Sequence, residues 1–228
     1  MKRISQSQAG FSLIELAIAL VIIGLVIGGV LFKGGDLIES ARLKNVLSQV
    51  NEIRLAVATF QDRYQSLPGD YDEASLQIKD GLTNGKNNGV IDGKGLAPDS
   101  EAFHFWSHLA SADLISDPGQ AAEQGVPGFG HGAPASKIGG GFTIQYEPES
   151  MPGHWIILGA TNGQSSDGAL LTPLQAIHLD QKADDGNPKT GKIRARQGKN
   201  TEEKCLTDDG HYNTKVTKPA CIVYFQLQ

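Results

Sequence analysis

Six histidines and a scatter of acids and amides are the residues of this 228-residue chain that could do chemistry, and their spacing decides whether they do. His104 and His108 stand four apart, so a helix carrying them presents both on one face, a spacing that suits a metal. No Glu follows the first His as in HExxH and no third ligand is evident, so ordinary interfacial histidines are the favoured reading. Asn84, Asn87, Asn88 and Asp92 could gather around a cation, yet NGKNNGVID lacks the alternating ligands and distal Glu of an EF-hand, and a turn-rich loop is favoured. Asp184 and Asp185, ahead of Gly186 and Asn187, form a second cation candidate set against a solvated turn. No Walker loop, nucleophile elbow or Rossmann fingerprint is present, and Ser, His and acidic residues form no local triad. The expectation is no enzyme, no metal site and no cofactor.

Glu15 is the most conspicuous ionisable residue. From Phe11 to Phe32 it is the only one in 22 residues, a length that spans a bilayer core at about 1.5 Å rise per residue. A carboxylate there costs roughly 2.5 to 3.5 kcal/mol on insertion scales, so Glu15 needs a partner that a lone helix in lipid does not supply. A cleavable secretory signal fits poorly, because the apolar run continues well beyond the 7 to 15 residues typical of one. Lys2 and Arg3 ahead of the run place the N-terminus in the cytoplasm and the remainder outside. In an exported domain Cys205 and Cys221 read as one disulfide, in the cytosol as two free thiols; the membrane segment favours the disulfide.

The elements that position these residues follow from periodicity. Leu43, Val50, Val57 and Tyr64 recur every seven residues, with Val46, Ile53 and Phe60 three residues after the first three, so the helix continues past the membrane with one apolar stripe. A dimeric coiled coil is the plainer account; a stripe packed under the chain's own head is the better one, because three heptads give little reason for a free-standing coil. Gly34 and Gly35 are the soft joint between the halves, and Leu67-Pro68-Gly69-Asp70 ends the helix by Ser66. Residues 80–100 read as an extended surface loop and Gly119 to Gly141 as a long surface excursion. Ser100 to Ile115 reads as a second helix, and a short one begins near Thr172 and Pro173. The β-prone runs Phe142 to Tyr146, Trp155 to Leu158 and Cys221 to Leu227 give an antiparallel sheet of about three strands. The fold class is α+β, a long N-terminal helix packed on a small antiparallel sheet.

The run Gly10, Phe11, Ser12, Leu13, Ile14, Glu15, Leu16 closely resembles the processing site of type IV prepilins and pseudopilins. The resemblance covers about the first sixty residues well and the remainder in general layout. It implies cleavage by a prepilin peptidase between Gly10 and Phe11, methylation of the new Phe11 amine, and polymerisation through the N-terminal helix. It also implies that Glu15 pairs with the N-terminal amine of a neighbouring subunit. The implied partners are further copies and other pilin-like subunits, the peptidase, the inner membrane, and an assembly platform with a motor ATPase. The implied layout is a leader over 1–10, a transmembrane half over 11–32, an amphipathic half over 33–66 and an extracytoplasmic head over 67–228. Phe32 stands where many pilins have a helix-kinking proline, which leaves flexibility to glycines. The function expected is a structural subunit of a type IV pilus-like or type II secretion filament, single-pass in the inner membrane before assembly and periplasmic or extracellular after it. The competing class is a membrane-anchored extracytoplasmic binding protein or enzyme that uses the leader only for processing. The formal net charge of −5, or −7 without Lys2 and Arg3, provides no basic stripe for nucleic acid.

Overall fold

The computed structural model describes residues 12–119 and 127–228. The chain forms two compact units, Met1–Ala41 and Arg42–Gln228. Helix α1, Leu13–Tyr64, runs without interruption through 52 residues and contributes to both.

In the first unit, every large apolar side chain from Leu13 to Ile27 is more than half exposed. A helix apolar on all sides satisfies itself only against lipid or other apolar helices. Among the described residues no helix is long and apolar enough to cross a membrane, and the apolar sequence from Phe11 to Phe32 lies only partly within that description.

In the second unit the heptad stripe is the floor of the core: Leu43, Val46, Val50, Ile53, Val57 and Phe60 are all buried. Burial of such a side chain contributes about 1.5 to 3 kcal/mol, and truncating Phe60 to Ala costs about 3 to 5 kcal/mol. The helix stops at Tyr64, and the chain turns through Gly69, whose φ is 84°. A Cβ at Gly69 would collide with the Glu101 carbonyl oxygen, so only glycine lets this turn approach the next long helix.

Helix α2 is one turn, Ala74–Gln77, and α3 is Glu101–Ser111. Ser100 caps α3, its Oγ accepting the Phe103 N–H at 3.1 Å. The helix ends four residues before the expected Ile115, yet Leu114 and Ile115 still pack on the core from the turn that follows. Phe105, Trp106 and Leu109 are fully buried along its inner face. In the excursion after α3 lie two short parallel strands, β1 at Gly128–Phe129 and β2 at Gly132–Ala133.

The sheet has five strands where about three were expected. They are β3 (Gly141–Tyr146), β4 (His154–Asn162), β5 (Ser165–Gly168), β6 (Ile193–Gln197) and β7 (Cys221–Gln226). The order is β3-β4-β7-β6, with β5 paired to β4, and every pairing is antiparallel. Register puts Ile144, Ile156, Phe225 and Ile193 in one row across the sheet and Phe142, Leu158, Val223 and Ala195 in the next. Both rows belong to the main core. The alternate residues Trp155, Ile157, Ile222 and Tyr224 form a second small core with Met151. The Arg194 guanidinium lies 5.1 Å from the Trp155 ring centroid over that outer face. That contact explains the unexpected β6: Ile-Arg-Ala-Arg-Gln looks polar, but its arginine stem covers apolar surface.

Helix α4, Pro173–Ala183, opens on a capping box in which Thr172 and Gln175 exchange side-chain to backbone bonds. Cys205 and Cys221 are joined, their Cα atoms 4.9 Å apart, so the disulfide ties the start of β7 to the loop before it. Arg54 of α1 donates from both Nε and a terminal nitrogen to the Gln226 carbonyl at the end of β7, and Gln228 donates to Gln61 at 2.6 Å.

Candidate functional site

Gly10 and Phe11 lie outside the described residues. Ser12 and Glu15, the polar residues of the motif beyond them, are held in a specific local arrangement. Ser12 Oγ accepts the Ile14 N–H at 3.2 Å, and the Glu15 carboxylate accepts the Ser12 N–H at 2.8 Å. Ser-x-x-Glu has the spacing of a capping box, with Ser12 taking the Ile14 N–H and Glu15 reaching back to the Ser12 N–H, and the helix dipole favours a carboxylate in the first turn. Within its own chain the Glu15 carboxylate thus has a backbone donor, the Ser12 N–H, and that donor carries no compensating charge. One bond does not saturate a carboxylate, which has about four acceptor positions, so Glu15 retains capacity for a cation. The Ser12-Leu-Ile-Glu15 spacing carried this signal.

In the second unit the polar chemistry is concentrated around residues 83–92, a mostly exposed loop as expected, but one whose backbone is closely hydrogen-bonded. Eight consecutive backbone N–H groups, Gly85 to Asp92, each have an acceptor. Gly85 donates to the Tyr71 carbonyl at 2.8 Å and Asn87 to the Asp70 carbonyl at 2.7 Å. Asn88 and Gly89 donate to the two oxygens of the Asp70 carboxylate at 2.9 and 2.8 Å. Lys86 and Asp92 donate to the two oxygens of Glu101, both at 2.9 Å. Val90 donates to the Asn88 side chain at 2.9 Å and Ile91 to His154 Nε2 at 3.1 Å. A segment without a sheet or helix ladder must find its acceptors elsewhere, and here nearly buried Asp70 and Glu101 provide them. Ile91 and Leu96 are buried as a result.

His108 completes the arrangement. It is fully buried, accepts the Gly69 N–H on Nδ1 at 2.9 Å and donates from Nε2 to the Thr83 carbonyl at 2.8 Å. Only the neutral ring does both. Burial pushes its pKa down to about 4, with the Thr83 carbonyl opposing and His104 adding to the shift. Burial also lowers His104 and His154, against nearby carboxylates in both cases. The two helix histidines thus differ: His104 is half-buried, while His108 is a bridge between two segments of backbone.

The cation candidates are occupied by protein partners. Asn84 accepts from the Ser75 N–H, Asn87 from the Ser66 hydroxyl, Asn88 from Val90, and Asp92 pairs with Lys86 at 2.6 Å. Asp184 and Asp185 approach Asp180, ligand atoms of all three lying within 4.8 Å of one another. Each nevertheless binds its own donors: Asp180 takes the Gly186 N–H and the Tyr212 hydroxyl, Asp184 the Ile193 N–H, and Asp185 the Asn187 N–H and Thr190 hydroxyl. The cluster closes a turn and fastens the disulfide loop to α4 through Tyr212. Burial raises the pKa values of both Asp180 and Tyr212.

Residues 5–31 match the family model of the prokaryotic N-terminal methylation motif. Among solved structures, the major type IV pilin PilA1 from Clostridium difficile is 14% identical, with 83% of this chain and 96% of that chain covered at a TM-score of 0.40. That likeness is too distant to add to the fold described above. No curated protein matches the chain.

Proposed function

We propose that this chain is a pilin-like filament subunit, cleaved after Gly10 by prepilin peptidase, methylated on Phe11 and polymerised through its N-terminal helix. The N-terminal methylation motif over residues 5–31 is the observation that carries this reading. The boundaries proposed are a leader over 1–10, a membrane half over 11–32, an amphipathic half over 33–66 and a head over 67–228. Before assembly the apolar half anchors the precursor in the inner membrane, with the head outside and the disulfide formed there. After assembly the same side chains bury one another in a shaft, which accounts for a helix that leaves them exposed in the single chain. Glu15 then supplies a carboxylate to the Phe11 amine of the next subunit, since each group alone is costly in apolar surroundings. The partners are copies of this chain and other pilin-like subunits, together with an assembly platform and its motor ATPase; a pilus and a type II secretion filament are both within this reading.

The competing reading, an anchored binding protein or enzyme, has no observation in its favour among the described residues. Mass spectrometry of the mature protein tests the processing step: the expected chain begins at Phe11 with a methylated amine, and Gly10→Val leaves the precursor uncut. Sheared filaments containing this chain are the second expected result. An intact Met1 in cells with an active prepilin peptidase, or mature protein that never enters filaments, overturns the proposal.

A further inference from the structure

We propose that residues 83–92, together with the Gly69 turn, form a strap that acid releases: His154 holds Ile91 as an uncharged acceptor, and His108, which donates to Thr83 while accepting the Gly69 N–H, does both only while uncharged. His154 Nε2 takes the Ile91 N–H directly. His108 acts at the other end, joining the Gly69 turn to Thr83 through one ring. A proton on His108 Nδ1 would face the Gly69 N–H, and a proton on His154 Nε2 would face the Ile91 N–H, donor against donor in both places. The surroundings favour the uncharged rings. His108 has His104 on its own helix and the Phe60 ring of α1 stacked 6.3 Å away; Tyr71 and Tyr64 join that aromatic cluster. Asp70, Glu101 and Asp92 are carboxylates of this region: the first two are already engaged by strap N–H groups, with Lys86 contributing its backbone to Glu101, and Asp92 pairs with the Lys86 ammonium at 2.6 Å. His154 has Asp70 as its charged neighbour and the Tyr146 ring of β3 at 4.9 Å.

The direction follows from proton linkage. His108 titrates at about 4 with the strap closed and near 6.5 once water reaches it, so between those values the open state binds more protons and stability falls as pH falls. For His108 alone, the opening equilibrium rises on the order of a hundredfold from pH 7 to pH 4. Opening uncovers Ile91 and gives a head with a different surface in acid than at neutrality.

Hydrogen exchange of the full chain in detergent micelles, corrected for intrinsic rates, tests this at pH 7, 5 and 4. Amides of Gly85 to Asp92 should lose about a hundredfold of protection by pH 4, while Ile156 to Leu158 in the centre of the sheet retain theirs. Unchanged strap protection at pH 4 overturns the proposal. The His108→Gln, His154→Gln double variant, whose amides accept and donate without titrating, should hold its pH 7 protection down to pH 4. A loss equal to that of the wild type would assign the opening to the carboxylates Asp70, Asp92 and Glu101 and overturn the role of the histidines. Exchange at the imidazole C2 carbon in the wild type needs no variant: titration of His108 near 4 supports the strap, and titration near 6.5 overturns it.

Discussion

Replacing Glu15 by Gln separates two roles that the structure allows the same carboxylate. In the single chain Glu15 accepts the Ser12 N–H at 2.8 Å, and a Gln at that position completes a capping box equally well. Glu15→Gln therefore keeps the helix start and removes only the charge. Ser12→Ala does the reverse, removing the hydroxyl that accepts the Ile14 N–H and leaving the carboxylate. Loss of a cap costs about 1 kcal/mol, roughly a fivefold effect on an equilibrium. On the proposed pairing, loss of the charge leaves the neighbouring Phe11 amine buried without its counter-ion, at about 3 to 5 kcal/mol per subunit. That amounts to somewhere between a hundredfold and a few thousandfold in subunit addition. The assay is sheared filament yield against total membrane protein, with mass spectrometry of the Phe11 terminus showing that processing is intact. Near-complete loss of filaments in Glu15→Gln with a mild deficit in Ser12→Ala is the expected pattern. Wild-type yield from Glu15→Gln, with Ser12→Ala impaired, would reduce Glu15 to a helix cap and refute the pairing.

Asp70→Ala orphans the Asn88 and Gly89 N–H groups, so denaturant unfolding should show a loss of about 2 to 5 kcal/mol, whereas exposed Asp72→Ala should stay within about 0.5 kcal/mol of the wild type. The double replacement Cys205→Ser, Cys221→Ser opens a loop of sequence separation 16 and should cost about 3 kcal/mol, matched by the effect of reductant on the wild type. Tyr212→Phe keeps the ring but removes the donor that Asp180 binds at 2.7 Å, and should lower stability by about 2 kcal/mol in thermal or denaturant melts; an unchanged melt would mean that the buried carboxylate finds another donor.

Local signals were legible in the sequence and long-range polar ones were not. The stripe from Leu43 to Phe60 is periodic and is buried as that periodicity demands. Ser100 and Thr172 are caps because a short oxygen-bearing side chain preceding an apolar face satisfies the first free N–H groups. Strands β3, β4 and β7 carry β-branched and aromatic runs and lie within a few residues of their expected bounds. Strands β5 and β6 have no such run: Ser-Ser-Asp-Gly resembles a turn, and the apolar value of Arg194 appears only when Trp155 lies beneath it. Residues 83–92 are the exposed loop expected, and only the partners of their backbone were not legible, for a related reason. Their Asn and Gly content fits a solvated turn, while the acceptors that hold them come from Asp70, Glu101 and His154, at separations of 9 to 63 residues. Glu101 does sit in the first turn of α3, as its type suggests, yet its carboxylate is spent on a different segment. At Glu15 the three-residue spacing from Ser12 is a local signal of the bond that Ser12 donates to it.

The grip of Arg54 on the Gln226 carbonyl has a mechanical meaning. Tension along α1 would enter the head at the far end of β7, a strand hydrogen-bonded on both sides by β4 and β6. Pulling that strand out along its length would load several ladder bonds together in shear, rather than opening them one after another as peeling an edge strand would. At the opposite end of β7, Cys221 is covalently fastened to Cys205, so the load path ends in a bond that thermal agitation does not break. Force reaching the head through α1 is thus braced along a strand that is hydrogen-bonded on both sides.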